Sequence, residues 1–199
     1  MAQTGESPLT EPNLQAAARH FKEAFHCLGV ALQADTPHRI AKAWAEMLDG
    51  YHGDWRSHAK VFALDGGDAD EPTLIPYGDG DGEQLVEVTA GFVSVCEHHV
   101  LPFEGSVTIQ YRIQAGRVLG ASKVVRIIRA FARRLQIQER LTRDIARAIA
   151  EVTGSPYVRV ETVATHACMR CRGVADRDSH MRCIVVWDRT QQHNATADQ

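Results

Sequence analysis

The chain has 199 residues, of which 44% are apolar, and this length suits one sizeable core with at most a small helical appendage. The formal net charge of -3 at pH 7 gives no overall attraction to polyanions, so we predict neither nucleic acid nor a membrane as a partner. No apolar run approaches the roughly 20 residues that span a bilayer, and the start, MAQTGESPLTEPN, lacks the features of a secretory signal, so a cytoplasmic location is predicted.

Residues 11–60 predict an N-terminal helical segment, which follows a polar tail over residues 1–10 that is expected to be disordered. A first helix is indicated by apolar side chains at helical spacing, namely Leu14, Ala18, Phe21, Phe25 and Leu28. A second helix lies in DTPHRIAKAWAEMLDGY, where Pro37 suits the first helical position and Gly50 ends the apolar stripe.

Residues 65–82 are rich in Gly and Asp, include GDGDG, and predict a loop. A calcium-binding loop that began at Asp79 would need its last ligand, a Glu, at the position of Ala90, so an ordinary loop is the better interpretation. After it, LVEVTAGFVSV and SVTIQYRI have the alternation of strands, and CEHHVLPFEG lies in the connection between them.

The second half of the chain predicts two helices and then two strands. The helices are amphipathic and are joined around residues 136–138, and the strands lie in YVRVETVATHACM and MRCIVVW. A polar tail over residues 188–199 follows. This order predicts an α+β fold, with an antiparallel sheet covered by helices on one face, over residues 61–187.

The cysteines and histidines of two short segments predict a metal site. Cys96 and His99 have the spacing of two ligands on one turn. If ATHACMRCRG is extended, His166 and Cys168 point to the same side, which makes Cys168 a candidate third ligand. A Cys₂His set leaves one tetrahedral position open, as in catalytic zinc sites, and His98 and His166 would then be proton carriers near neutral pH.

Spacing alone leaves a second interpretation open. Cys171 forms a C-x-x-C pair with Cys168, and adding it would close a structural zinc site with four protein ligands. Spacing by itself slightly favours this closed site. Cys27 and Cys183 are interpreted as small buried residues.

CEHHVLPFEG, GASKVVRIIRAFARRLQIQERLT and ATHACMRCRG, in this order and together with TPHRIAKAW, resemble GTP cyclohydrolase I of the zinc-dependent type, from about residue 14 to about residue 175. The resemblance implies that Cys96, His99 and Cys168 bind one Zn²⁺ per subunit, with Cys171 outside the ligand set. It also implies that His98 and His166 lie close to the reacting purine and ribose.

The implied reaction is hydrolytic opening of the imidazole ring of GTP at C8. Formate is released, and rearrangement gives 7,8-dihydroneopterin triphosphate, the first step of tetrahydrofolate, pterin or deazapurine biosynthesis. An alternative from another functional class is a nonenzymatic GTP-binding regulatory protein with a structural zinc. That alternative predicts bound GTP without release of formate.

The resemblance also implies the residues that recognise the substrate. Guanine would be bound by Glu139 of the QER motif, with Gln138 beside it, because a carboxylate accepts from both N1–H and the 2-amino group. The triphosphate would be bound by Ser122, Lys123, Arg126, Arg172 and Arg39. A solvated or subunit-facing surface is expected for the other arginines of the helix pair, namely Arg129, Arg133, Arg134, Arg140, Arg143 and Arg147.

The family fold is the tunnelling fold, in which subunits join their sheets into a barrel. The resemblance therefore implies a homo-oligomer, typically a decamer of two face-to-face pentamers with active sites between subunits, where Arg39 would serve a neighbour.

After Gly173 the chain departs from the family pattern, since DSHMRCIVVW replaces a Ser/Thr-rich strand, and Ala121 replaces the usual Leu. These departures concern barrel packing and regulatory contacts more than chemistry, and a specialised pathway is one hypothesis for them.

Overall fold

The structure is a computed structural model that describes residues 11–63 and 84–189. The expected disordered tail over residues 1–10, the Gly- and Asp-rich loop over residues 65–82 with its rejected calcium site, and the end of the polar C-terminal tail lie outside the described residues. In the described ranges, no helix has both the length and the apolar character needed to cross a membrane.

Both helices predicted near the N-terminus are present. Helix α1 (Leu14–Cys27) begins where the side chain of Asn13 accepts a hydrogen bond from the backbone N–H of Ala16 at 2.9 Å. Helix α2 (Thr36–Met47) has Pro37 in its first turn, where a backbone N–H has no partner within the helix, so proline costs no hydrogen bond. None of the residues of α1 is fully buried, but its apolar stripe is half-buried and the helix packs against α2.

The strands in chain order are β1 (Val61–Ala63), β2 (Leu85–Cys96), β3 (Leu101–Arg112), β4 (Arg117–Leu119), β5 (Leu135–Gln136), β6 (Tyr157–His166) and β7 (Met181–Asp188). Among the described residues they form a five-stranded sheet of order β5-β2-β3-β6-β7 and a separate pair of β1 with β4. Neighbouring strands are antiparallel, apart from a short parallel pairing of β2 with β5.

Helices α3 (Ala121–Ala132) and α4 (Gln138–Thr153) cover one face of the larger sheet. Strand β6 alternates strictly between buried and half-buried residues, which is the pattern of a strand with one face on a core. The core between the layers is apolar and includes Val107, Ile109, Tyr111, Val124, Ile127, Leu141, Ile145, Ile149 and Val160. The predicted α+β architecture, with helices against the sheet, is confirmed.

The structure differs from the predicted strands at two places near the histidine segments. The sequence LPFEG belongs to β3, so the connection after β2 shrinks to a turn over residues 97–100. The predicted strand through ATHACM ends at His166 and is followed by a one-turn helix, α5 (Ala167–Arg170). Pairing with β3 also stops at His166. The backbone N–H and C=O groups beyond it therefore form hydrogen bonds within the helical turn, as where Cys171 N donates to Ala167 O at 3.0 Å.

A close backbone contact attaches the N-terminal helical segment to the end of α3. Gly50 N donates to Arg133 O at 2.9 Å, and Arg134 Nε donates to Gly50 O at 2.8 Å. A Cβ on Gly50 would lie only 2.5 Å from Ala130 O, so glycine is required at this position. Arg133 also pairs with Asp49 at 2.7 Å, so both Arg133 and Arg134 contact the N-terminal helical segment, where a solvated or subunit-facing surface was expected.

Candidate metal centre and active site

Two thiols and one imidazole converge at one end of the sheet. The ligand atoms of Cys96, His166 and Cys168 all lie within 4.8 Å of one another. Cys96 is 4% exposed at the end of β2, His166 is 8% exposed at the end of β6, and Cys168 is half-buried in α5. Soft sulfur donors with one imidazole are a ligand set that zinc prefers, so these residues fit the ion that the sequence predicts.

Strand register explains why residues so distant in sequence meet here. Phe103 of β3 is paired with His166 of β6, and Cys96 of β2 is paired with Leu101 at the start of β3. Cys96, Phe103 and His166 have inward burial positions, so their side chains share the helix-covered face. The Phe103 ring stacks on the imidazole with centroids 4.5 Å apart and an angle of 3° between the planes.

The two histidines of CEHHV lie in the exposed turn that follows β2. Val100 N donates to Cys96 O at 2.8 Å and closes this turn, and Val100 has a φ of 55°, which is a strained value for a β-branched residue. His98 and His99 have ring centroids 6.5 Å apart and nearly perpendicular planes. Of the predicted ligands, Cys96 and Cys168 therefore meet in this chain, while the imidazole beside them within the described ranges is His166 and not His99.

The electrostatics of the thiols also fit a cation. Burial, and next the neighbouring Cys96, raise the pKa of Cys168, whereas Arg172 acts in the opposite direction. A thiolate on Cys168 is therefore disfavoured in the absence of a cation, because its sulfur is desolvated and lies beside a second sulfur. A bound divalent cation reverses this preference, since it stabilises both thiolates.

His166 is held as a neutral imidazole near neutral pH. Burial lowers its pKa, the carboxylate of Glu139 partly opposes that effect, and His98 adds to it. Glu139 is exposed in the first turn of α4, where the helix dipole favours an acid. Glu139 and His98 therefore both act electrostatically on His166 at the same end of the sheet.

Gln138, which was predicted to contact the substrate beside Glu139, is buried. Its side chain is 1% exposed, and its Oε1 lies 2.9 Å from Nε2 of His166. The amide Nε2 of Gln138 is also engaged by protein oxygens. Its contacts in this chain are thus with a candidate catalytic residue and with the core.

The predicted triphosphate residues do not gather around this group within one chain. The start of α3 carries Ser122, Lys123 and Arg126. It follows Leu119, whose backbone N–H donates to Tyr111 Oη at 3.1 Å, so these residues lie near the C-terminal end of β3. The other end of β3, next to Cys96, is ten residue steps away along the strand, a separation on the order of 33 Å.

Arg172 and Arg39 differ in their positions. Arg172 is exposed just after α5 and acts electrostatically on Cys168, so it belongs to the metal end of the sheet. Arg39 is exposed on α2, with Asp35 4.0 Å away. Among the predicted cationic residues of the described ranges, only Arg172 acts electrostatically on a thiol of this group.

Arg140 has a structural role that sequence reasoning missed. Its Nη2 pairs with Glu97 at 2.6 Å and donates to Leu135 O at 2.8 Å, while its Nε donates to Gln136 Oε1 at 2.8 Å. Arg140 thereby links the turn over residues 97–100 to the start of α4.

Thr162 is a second residue that sequence reasoning missed. It is the one threonine among the inward-facing residues of β6, and this was a signal available in the sequence.

Known proteins are similar to this chain over most of its length. The sequence model of the family described as GTP cyclohydrolase I matches residues 17–199. GTP cyclohydrolase 1 1 of Pseudomonas aeruginosa is 40% identical over 185 residues, which cover 91% of this chain and 92% of that protein. GTP cyclohydrolase 1 of Pseudoalteromonas translucida is 44% identical over 154 residues, which cover 76% and 75% respectively.

Among solved structures, the archaeosine synthase QueF-Like in the apo form is similar over 53% of this chain and 94% of its own, with a TM-score of 0.42 and 16% sequence identity. The family match extends over most of the residues, including both segments that supply the thiols. The chain therefore belongs to the GTP cyclohydrolase I family.

Proposed function

We propose that this chain is a zinc-dependent GTP cyclohydrolase I, which opens the imidazole ring of GTP at C8, releases formate and forms 7,8-dihydroneopterin triphosphate. The observation that carries the proposal is the convergence of Cys96, Cys168 and His166 within 4.8 Å beside the Glu139 end of α4. Relatives that match 91% of this chain bear the name GTP cyclohydrolase 1.

Cys96, His99 and Cys168 are the proposed ligands of one Zn²⁺ per subunit. His99 would reach the thiols by a rearrangement of the short turn over residues 97–100, which is exposed and contains the strained Val100. When bound, zinc supplies a Lewis acid that lowers the pKa of water toward neutrality. The Cys171 thiol donates instead to Ala167 O at 2.7 Å, which supports an open ligand set and not a closed one.

Glu139 is proposed to bind guanine, and His166 and His98 to move protons. The Glu139 carboxylate is exposed and lies close enough to His166 to affect its pKa, so a purine bound by Glu139 would lie next to the imidazole. His166 is neutral near neutral pH and therefore has a ring nitrogen that accepts a proton. His98, in the exposed turn, is placed to assist at the same end of the sheet.

The triphosphate site is proposed to form between subunits. Arg172 would contribute from the chain that holds the metal. Ser122, Lys123 and Arg126 lie at the opposite end of β3, too distant to bind the same nucleotide, so they would serve a neighbouring chain, as would Arg39. Guanidinium groups and a helix N-terminus match the geometry and charge of phosphate oxygens.

The proposed assembly is a homo-oligomer that joins its sheets into a barrel, with the active sites between chains; the family's typical form is a decamer of two pentamers. Strand β7 lies at one edge of the sheet, and most of β2 has no partner on its second side within the described residues. Unpaired edges of this kind favour pairing with another chain.

Metal-loaded protein incubated with GTP tests the function. We expect equimolar formate and a product that becomes a fluorescent pterin after oxidation. GMP and ATP, which lack the triphosphate and the guanine respectively, are expected to be poor substrates, and His166→Ala should bind GTP without turnover. Retention of GTP without formate release by the wild-type protein would favour a regulatory GTP-binding protein.

A further inference from the structure

We propose that Gln138 is a positioning residue that fixes the tautomer of His166, so that Nε2 carries the proton and Nδ1 carries the free lone pair. The catalytic meaning of this arrangement rests on the proposed function, in which His166 moves protons. The arrangement itself follows from hydrogen bonds within the core.

The orientation of the Gln138 amide is determined by the oxygens around it. Its Nε2 lies 2.9 Å from Met181 O, 3.2 Å from Thr162 O and 3.0 Å from Thr162 Oγ1. Met181 O and Thr162 O are carbonyl oxygens, which only accept hydrogen bonds. The NH₂ end of the amide must therefore face them, because the opposite orientation would place a carbonyl oxygen against two others.

This orientation turns the amide oxygen toward the imidazole. Oε1 of Gln138 lies 2.9 Å from Nε2 of His166, and an amide oxygen only accepts. Nε2 of His166 must then be the donor and carry a proton. In a neutral imidazole only one nitrogen is protonated, so Nδ1 is the nitrogen left to accept a proton or to contact a cation.

Two threonines extend this arrangement into a directed ring. The Thr142 hydroxyl has one proton and donates it to the backbone carbonyl oxygen of Gln138 at 2.7 Å. In its 2.8 Å contact with Thr162 it must therefore accept, which makes Thr162 the donor. Thr162 Oγ1 in turn accepts a hydrogen bond from the side-chain amide of Gln138. Each of the two hydroxyl protons is then donated to another oxygen of the ring, and neither points toward the amide NH₂ group.

Burial and stacking keep the imidazole in place against this ring. Gln138, Thr142 and Thr162 are at most 1% exposed, so water does not compete for their hydrogen bonds. The parallel ring of Phe103 limits rotation of the imidazole out of its plane. An alternative tautomer would leave a buried donor or acceptor unmatched, which is unfavourable.

The tautomer can be read directly from full-length, zinc-loaded protein labelled with ¹⁵N and ¹³C in histidine. Solid-state spectra at about pH 8, above the usual histidine pKa of about 6.5, distinguish protonated from unprotonated ring nitrogens. The His166 signals are those lost in His166→Ala. We expect the proton on Nε2; a proton on Nδ1 of His166 would overturn the assignment.

Substitution then separates positioning from substrate binding. Gln138→Leu should remove the preference for protonated Nε2 and lower kcat by about 10- to 100-fold with little change in KM for GTP, as expected when a residue acts through another. In the His166→Ala background, which is expected to bind GTP without turnover, the same change should leave the affinity for GTP unchanged. A raised KM with an unchanged imidazole spectrum, or weaker GTP binding in that background, would instead assign Gln138 to the substrate.

Thr153→Val is the matched control for loss of a buried polar group. Thr153 lies on the same helix, is 1% exposed, and donates to Ile149 O at 2.7 Å, one turn back, as Thr142 does to Gln138. Its loss should lower stability but leave the His166 spectrum unchanged. If the wild-type protein releases no formate from GTP, the proposed function fails, yet the nitrogen spectra still decide between the two tautomers.

Discussion

The ring of Phe103 lies parallel to the imidazole of His166, with centroids 4.5 Å apart. This contact depends on the register of β3 with β6, because the two residues are direct partners in the ladder. Two residues further along β3, a Cβ on Gly105 would overlap Val163 O of β6. The absence of a side chain at Gly105 therefore permits the strand approach that brings Phe103 and His166 together.

Replacing Gly105 tests this close approach. Gly105→Ala should force β3 away from β6 and reduce the free energy of unfolding by about 1–3 kcal/mol. Urea unfolding followed by fluorescence measures the change. Gly91→Ala on β2 is the control, since its Cβ would lie 3.8 Å from Gly105 O, an ordinary contact. Equal stability of the two variants would contradict the steric argument.

Substitution of single cysteines tests which thiols bind zinc. Cys168→Ala should lose zinc and formate release together, because it removes one of two adjacent sulfurs. Cys171→Ala should keep both, since its thiol donates to Ala167 O. Zinc per subunit, measured by elemental analysis beside turnover, decides the matter. Loss of zinc from Cys171→Ala would instead favour the closed four-ligand site.

The identity of the imidazole ligand is tested by a second pair of variants. His99→Ala should reduce zinc content, whereas His166→Ala should retain zinc and lose turnover. The reverse result would assign the coordination to His166, which lies beside the thiols in this chain. Measuring zinc content separates these outcomes, since both variants are expected to be inactive.

Mixed oligomers test whether active sites lie between chains. Arg126→Ala and His166→Ala should each be impaired at low GTP, but random co-assembly should restore about one quarter of the sites, because those sites combine intact halves from two chains. Cys168→Ala mixed with His166→Ala should restore nothing, since both alter the same half. Failure of the first mixture to regain activity would place Arg126 in the same site as its own His166.

The ion pairs of Glu161 predict a change of stability with pH. Hydrogen bonding by Arg159 is the main cause that lowers the pKa of Glu161 below its ordinary 4.5, and Arg182 adds to it. A depressed carboxyl pKa stabilises the fold above the unfolded value, and this contribution is lost as pH falls through the folded value.

Glu161→Gln removes that contribution. The wild-type protein should be more stable than the variant by about 0.5–1 kcal/mol near neutral pH, the range of partly exposed ion pairs. The difference should shrink as pH falls below about 4.5. Urea unfolding at a series of pH values measures it, and a difference that is independent of pH would rule out this role for the carboxylate.

Local sequence patterns predicted the helices and most strands, because the periodicity of apolar residues is set by the core face alone. They also identified Cys96 and Cys168. They failed at α5, where loss of strand partners after His166 converts an apparent strand into a helical turn. The burial of Gln138 and the remote position of Ser122 depend on strand register and chain path, which no local pattern contains.

Cys96 and Cys168 belong to segments that are far apart along the chain and meet only in the folded protein. A cation held by both sulfurs would act as a removable cross-link that closes a large loop and narrows the range of shapes open to the unfolded chain. The Tm would then rise with the concentration of free metal. A shortage of the ion would lower the amount of folded protein as well as its activity.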